Sequence, residues 1–150
     1  MRNSKVIILL LLLAVTPILL GGCSLLPEKE KTAILSLRIS PSVVSVGQTL
    51  NLTFTLQEHE GVGVTLNFLR EEGYDQTNNL LWDIEFTDQQ AQGIFQNIFG
   101  THYIPGYGTL SAMTPSLLTS ALPGRGVCIF GGIDDNGHSV EASAELTIQP

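Results

Sequence analysis

Val140-Glu141-Ala142-Ser143-Ala144-Glu145-Leu146-Thr147-Ile148 alternates apolar and polar side chains without a break. Neighbouring side chains of an extended chain point to opposite faces, so this segment is a strand with one buried and one wetted face. Just before it, Asp134-Asp135-Asn136-Gly137 supplies residues that tolerate the positive φ angles of a tight turn. The apolar run upstream completes a hairpin, with Val127, Ile129 and Ile133 on one face and Gly131 in the same row.

The same period of two recurs along the chain. Leu35, Leu37 and Ile39 alternate with polar residues, Ser40-Pro41-Ser42 interrupts, and Val44 and Val46 continue the edge. Leu50, Leu52, Phe54 and Leu56 form a second set, Val62, Val64, Leu66 and Phe68 a third, and Leu80, Trp82, Ile84 and Phe86 a fourth. Polar breaks at residues 57–61 and 70–79 read as loops. Between Thr101 and Pro123 the pattern predicts a turn at Pro105-Gly106-Tyr107-Gly108, a strand over 109–113 and a loop or short helical turn over 115–121. A turn is expected at Pro123-Gly124.

One segment departs from the alternation. Ala91, Ile94, Phe95, Ile98 and Phe99 are spaced by threes and fours, which is a helix face. Thr87 and Gln90 have capping-box spacing, and Gly100 suits a left-handed close. Gly93 weakens this helix by about 1 kcal/mol relative to Ala. The expectation is an all-β chain, an antiparallel β-sandwich of about seven strands with one inserted helix at about 87–99. That helix would lie over an open end of the sheets and bury its two Phe rings.

Ile39 to Leu56, with its Ser-Pro-Ser break and Val-Gly-Gln turn, resembles the opening strands of bacterial surface immunoglobulin-like domains. Ile133 to Ile148 resembles their closing hairpin. The resemblance implies an immunoglobulin-like sandwich over residues 33–150. The middle of the chain matches less well, and no Cys pair flanks Trp82 as in antibody domains.

The other end of the chain reads as an address. Arg2 and Lys5 flank the apolar run Val6–Leu20, which is followed by Leu20-Gly21-Gly22-Cys23. This is the layout of a secretory signal peptide, and the run is short of the roughly 20 residues of a comfortable bilayer span. Leu20-Gly21-Gly22-Cys23 resembles the lipobox of bacterial lipoproteins. The resemblance implies cleavage after Gly22, an acylated Cys23 as the site of lipidation, and a short tether over 23–32. It places the protein on a cell membrane or outer membrane, facing the periplasm or the exterior. An ordinary cleaved signal, or an uncleaved anchor, is the alternative.

Without residues 1–22 the chain keeps 14 acidic and 5 basic residues (7 less Arg2 and Lys5), a net charge of −9. Such a surface repels nucleic acid and anionic lipid, so any membrane attachment falls to the acyl chains. Cys128 stands in an apolar run and reads as a small hydrophobe rather than a reactive thiol.

No nucleophile–base motif, metalloprotease helix or phosphate-binding glycine loop is present in the sequence, so no catalytic residue and no cofactor is assigned. Glu58-His59-Glu60 is the densest ionisable cluster, but consecutive side chains on extended backbone diverge, so a solvated loop is expected rather than a metal site. Asp134-Asp135-Asn136 with Glu141 offers oxygen ligands to Ca²⁺, yet turns select Asp, Asn and Gly for backbone reasons alone. His102, Tyr103 and Tyr107 fall in one loop near Phe95 and Phe99 and form the candidate interaction patch, unless the tyrosines merely pack over the core. The reading is a non-catalytic binding, adhesion or structural module with a protein or glycan partner. Its alternative is a periplasmic carrier with a pocket under the 87–99 helix.

Overall fold

The computed structural model describes residues 30–115, 117–119 and 122–150; Cys23 and the 1–22 segment lie outside them. Lys31–Pro150 forms one compact unit. Its elements are β1 (Leu35–Ser40), β2 (Val43–Ser45), β3 (Thr49–Leu50), β4 (Thr53–Glu58), β5 (Val64–Asp75), β6 (Leu80–Thr87), α1 (Asp88–Phe99), β7 (Tyr103–Ile104), β8 (Thr109–Met113), β9 (Leu117–Leu118), β10 (Gly124–Asp134) and β11 (Ser139–Gln149).

Two sheets face each other in an immunoglobulin-like β-sandwich. One runs β1-β4-β8, the other β2-β11-β10-β5-β6 with β7 added to β5, and β3 pairs with β9 alone. The pairings are antiparallel except for β2, which runs parallel to β11. That exception arises at Ser40-Pro41-Ser42, where the chain leaves the first sheet and joins the edge of the second. Strand number also exceeds the expected seven, because single alternating runs are divided between partners. Thr49–Leu50 pairs with β9, whereas Thr53 onward pairs with β1 and β8.

Three further expectations are corrected. The polar stretch from Arg70 is not a loop as far as Asp75. It continues β5, because its polar side chains find partners: Arg70 bonds Asp83 of β6 at 2.9 and 2.8 Å, and along the strand Tyr74 donates to Glu72 at 2.6 Å. Leu69, not Phe68, enters the core. Phe68 pairs with Gly131 but Leu66 with Gly132, so Asn67 is a bulge residue that flips the alternation. A Cβ on Gly132 would run into the Thr65 carbonyl, so the bulge depends on that glycine. Finally, Val127, Ile129 and Ile133 do share a face, but the core row of β10 is the opposite one, with Phe130 buried.

The helix forms where its spacing predicts. Gly100 closes it at φ 76, its N–H donating to the Gln96 carbonyl at 3.0 Å. Thr87 is the N-cap, but its side chain makes no capping bond. Ala91 and Phe95 are fully buried. The Phe95 ring packs edge-on against Phe130, 5.2 Å between centroids, and Phe130 stacks on Phe54 at 5.7 Å. Aromatic pairs in these geometries add about 1 kcal/mol each beyond their buried area. Every buried apolar residue among those described lies between Ala33 and Ile148. Lys31–Pro150 thus carries a complete core and folds as a unit.

Candidate functional site

Strand direction gives the sandwich two unlike ends. β1 and β11 start, and β4 and β10 finish, at the end where the chain enters at Lys31. Two buried carboxylates organise this end. Asp134 Oδ2 accepts from the Ala33 main-chain N–H at 3.0 Å and lies 3.3 Å from His138 Nδ1. Its Oδ1 accepts from the main chain of Asn136 and His138 at 3.0 and 2.8 Å. The Asn136 side chain donates to the Lys31 carbonyl at 2.6 Å.

Glu58, with no exposed surface, accepts main-chain N–H bonds from Ile34, Glu60, Gly61 and Tyr107 at 2.8–3.3 Å. In both residues burial pushes the carboxyl pKa up, and the surrounding donors outweigh it and hold it below the ordinary value.

This arrangement corrects the expected solvated loop at Glu58-His59-Glu60. Glu58 points inward to the main-chain donors, while His59 Nε2 lies 2.7 Å from Ser36 Oγ on the exposed side. The oxygens of Asp134 that a calcium ion would need already accept N–H donors, and Asp135 Oδ2 accepts from the Tyr103 hydroxyl at 3.0 Å. Among the described residues no three His, Cys, Asp or Glu side chains converge on a possible metal position.

The predicted patch sits at the same end. Tyr107 is 68% exposed, and a Cβ on Gly61 would meet its ring. Tyr103 lies across Gly63 in the same way. His102 contributes its carbonyl to the Leu66 N–H at 2.8 Å. The tyrosines therefore rest on the 61–63 backbone rather than over Phe95, which is sealed in the core.

At the opposite end the described residues leave a gap between the sheets. The helix is packed against β5, β6 and β8, so it bridges the two sheets along one side. Its 12 residues span about 18 Å, whereas the 12-residue β5 spans about 40 Å. Beyond the Phe54–Phe130 pair a cleft of about 520 Å³ separates the sheets. Its walls include Phe54 of β4 with Leu52 just before that strand on one side, and Cys128, Leu146 and Trp82 of the second sheet on the other. Leu80, Trp82 and Ile84 on β6 stay 40–52% exposed because nothing described covers them.

The cleft also corrects the pocket expected under the helix. That space is filled by Ala91 and Phe95, and beside the start of the helix lies a polar hollow of about 380 Å³ against Gly131 and Glu141.

Along this wall Leu69, Glu71 and Gly73 of β5 pair side by side with Phe130, Cys128 and Gly126 of β10. Glu71 stays exposed at the rim, and the partial loss of water around its carboxyl pushes it above its ordinary value. Burial first, and the Glu71 charge second, push the Cys128 thiol up to about 12. Trp82 is paired with Gly73, and a Cβ there would overlap the indole. The sequence does not show this site, since Gly73 and Glu71 read as loop residues; the closely spaced apolar residues Leu80, Leu81, Trp82 and Ile84 are the signal it carries.

No family model matches the chain, and no curated protein does. Solved structures similar to it include the CARDB domain of PF1109 from Pyrococcus furiosus, 13% identical at TM-score 0.42, covering 80% of this chain and 98% of that one. Another is the sporulation control protein Spo0M from Bacillus subtilis, 6% identical at TM-score 0.43, covering 81% of this chain and 51% of that one. A third is the alkylpurine DNA glycosylase AlkC from Pseudomonas fluorescens, 16% identical at TM-score 0.43 over 79% of this chain. The chain spans 30% of that enzyme's length. These likenesses are of fold alone.

Proposed function

We propose that this protein is an envelope lipoprotein whose sandwich is a non-catalytic binding module, tethered through acylated Cys23 with the cleft at its far end. The carrying observation is the two-ended build: Asp134 and Asn136 grip the chain at Lys31–Ala33, and the open apolar cleft lies at the other end. The short run from Ser24 to Lys31 reaches at most about 28 Å at full extension, so the gripped end would stay near the bilayer. Binding from the distal end leaves the site free of the membrane surface. The non-catalytic reading draws support from Glu58 and Asp134, whose oxygens are occupied by main-chain donors. No helix among the described residues is long and apolar enough to cross a membrane.

The anchor is tested by labelling the native host with palmitate and fractionating a Cys23→Ser variant. Incorporation that disappears with the substitution, together with release from membranes, is the expected result. Unlabelled protein, or a variant that stays bound, would overturn the anchor.

A further inference from the structure

We propose that the cleft between the sheets takes a small amphiphilic cation, with an apolar body over Gly126 and Cys128 and an ammonium head between the Glu71 carboxylate and the Trp82 indole. The inference rests on the binding reading above and not on the anchor.

Three independent features converge on this ligand class. The first is space. A Cβ built on Gly126 meets nothing closer than the Glu72 carbonyl at 3.9 Å, so the floor of the cleft is open where its neighbour Gly73 is covered by the indole. A volume of about 520 Å³ lies within the range of small-molecule sites, and its walls are mainly aliphatic and aromatic.

The second is charge. The Glu71 side chain, exposed at the mouth of the cleft, makes no hydrogen bond or ion pair among the described residues. The guanidinium groups of the flanking strands are already engaged: Arg70 with Asp83 and Glu72, Arg125 with Glu145 and the Tyr74 ring. A carboxylate without a partner at the mouth of an apolar cleft favours a cationic guest and repels an anionic one. The chain's own excess of acidic residues acts in the same direction.

The third is the aromatic face. Glu71 pairs across the ladder with Ile84 and Gly73 with Trp82, so Glu71 and Trp82 are diagonal neighbours on one face. Such neighbours stand about 7–8 Å apart, which leaves room for one ammonium group touching both. An indole is the strongest of the aromatic hosts for a cation.

Trp82 is the chain's single tryptophan, so its fluorescence reads the site directly. The soluble chain 24–150 is titrated with decyltrimethylammonium, 1-decanol and decanoate, all below micelle-forming concentrations. The expected result is saturable binding of the cation about tenfold tighter than the alcohol, with decanoate weakest. Glu71→Gln should erase the preference of the cation over the alcohol. Gly126→Leu should block binding, while Gly126→Ala should keep it; if Gly126→Leu does not fold, Cys128→Phe fills the same space.

Equal binding of all three probes that Gly126→Leu abolishes would overturn the cationic class and leave the binding reading standing. Binding unaffected by the filling variants, or no binding of any probe, would overturn both.

Discussion

The Asp134 carboxylate accepts a hydrogen bond of 3.0 Å from the main-chain nitrogen of Ala33, a residue 101 positions earlier. One side chain in the closing hairpin thus holds the first residues of the compact unit, and the same oxygens shape the hairpin's own turn. Removing it would leave several buried N–H groups without acceptors. Asp134→Ala should therefore cost about 3 kcal/mol, lowering the melting temperature by roughly 10 °C, as read by calorimetry.

Acid should unfold the protein through its gripping carboxylates. Glu58, Asp134 and Asp75 all have native pKa values below their ordinary ones, Asp75 at about 2 through its bonds to Asn79 and Thr77. A depressed native pKa means that the unfolded chain binds protons more readily. The stabilisation is full above the unfolded values, near 4, and is lost as pH falls through the native ones. Melting temperature should be level from about pH 7 to 5 and fall steeply below about 4. Asp134→Asn should flatten that fall; an unchanged slope would remove this residue from the account.

Gly73→Ala should displace the tryptophan. The added Cβ would overlap the Trp82 indole, and strand backbone itself tolerates Ala. The expected outcome is a red-shifted, more quenchable tryptophan emission and a loss of about 1–2 kcal/mol in urea unfolding. Gly126→Ala, one strand away with open space above it, is the matched control.

The Cys128 thiol should be sluggish despite lining an open cleft. With its pKa at about 12, only about one molecule in ten thousand carries the thiolate at pH 8. Alkylation of the 24–150 chain, in which Cys128 is the single cysteine, should be slow at pH 8 and still accelerating above pH 10. A labelling rate that levels off near pH 9 would contradict this.

Phe95→Ala should be among the most damaging single changes. The ring is fully buried and touches both Phe99 and Phe130, so its loss leaves a cavity that the neighbours cannot close. A loss of about 3–5 kcal/mol is expected from chemical denaturation. Tyr107→Ala, on an exposed ring, should cost far less.

β11, β8 and α1 were legible from local pattern, because one face of each meets the core and the other meets water along their whole length. The Asp134–Gly137 turn was legible for a related reason: its backbone angles are set by the residues within it, with Gly137 at φ 87. β5 was not. Its second half is polar on the outer face, where Arg70, Glu72 and Tyr74 satisfy one another and Asp83 across strands, and no local rule distinguishes such a ladder from a loop. The bulge at Asn67 escaped as well, since it depends on a close approach of Gly132 to the Thr65 carbonyl that only the pairing with β5 creates.

The candidate sites divide along the same line. The tyrosines were visible as residues, but that they rest on Gly61 and Gly63 at the chain-entry end was not. Period-two alternation, a helical spacing and turn chemistry act between residues close in sequence, and they determined a sandwich with one helix and a closing hairpin. Which carboxylates are buried and bonded, and where the sheets part into a cleft, depended on strands brought together from 50 to 100 residues apart. Burial and partnership belong to the assembled sheets, and no local stretch of chain carries them.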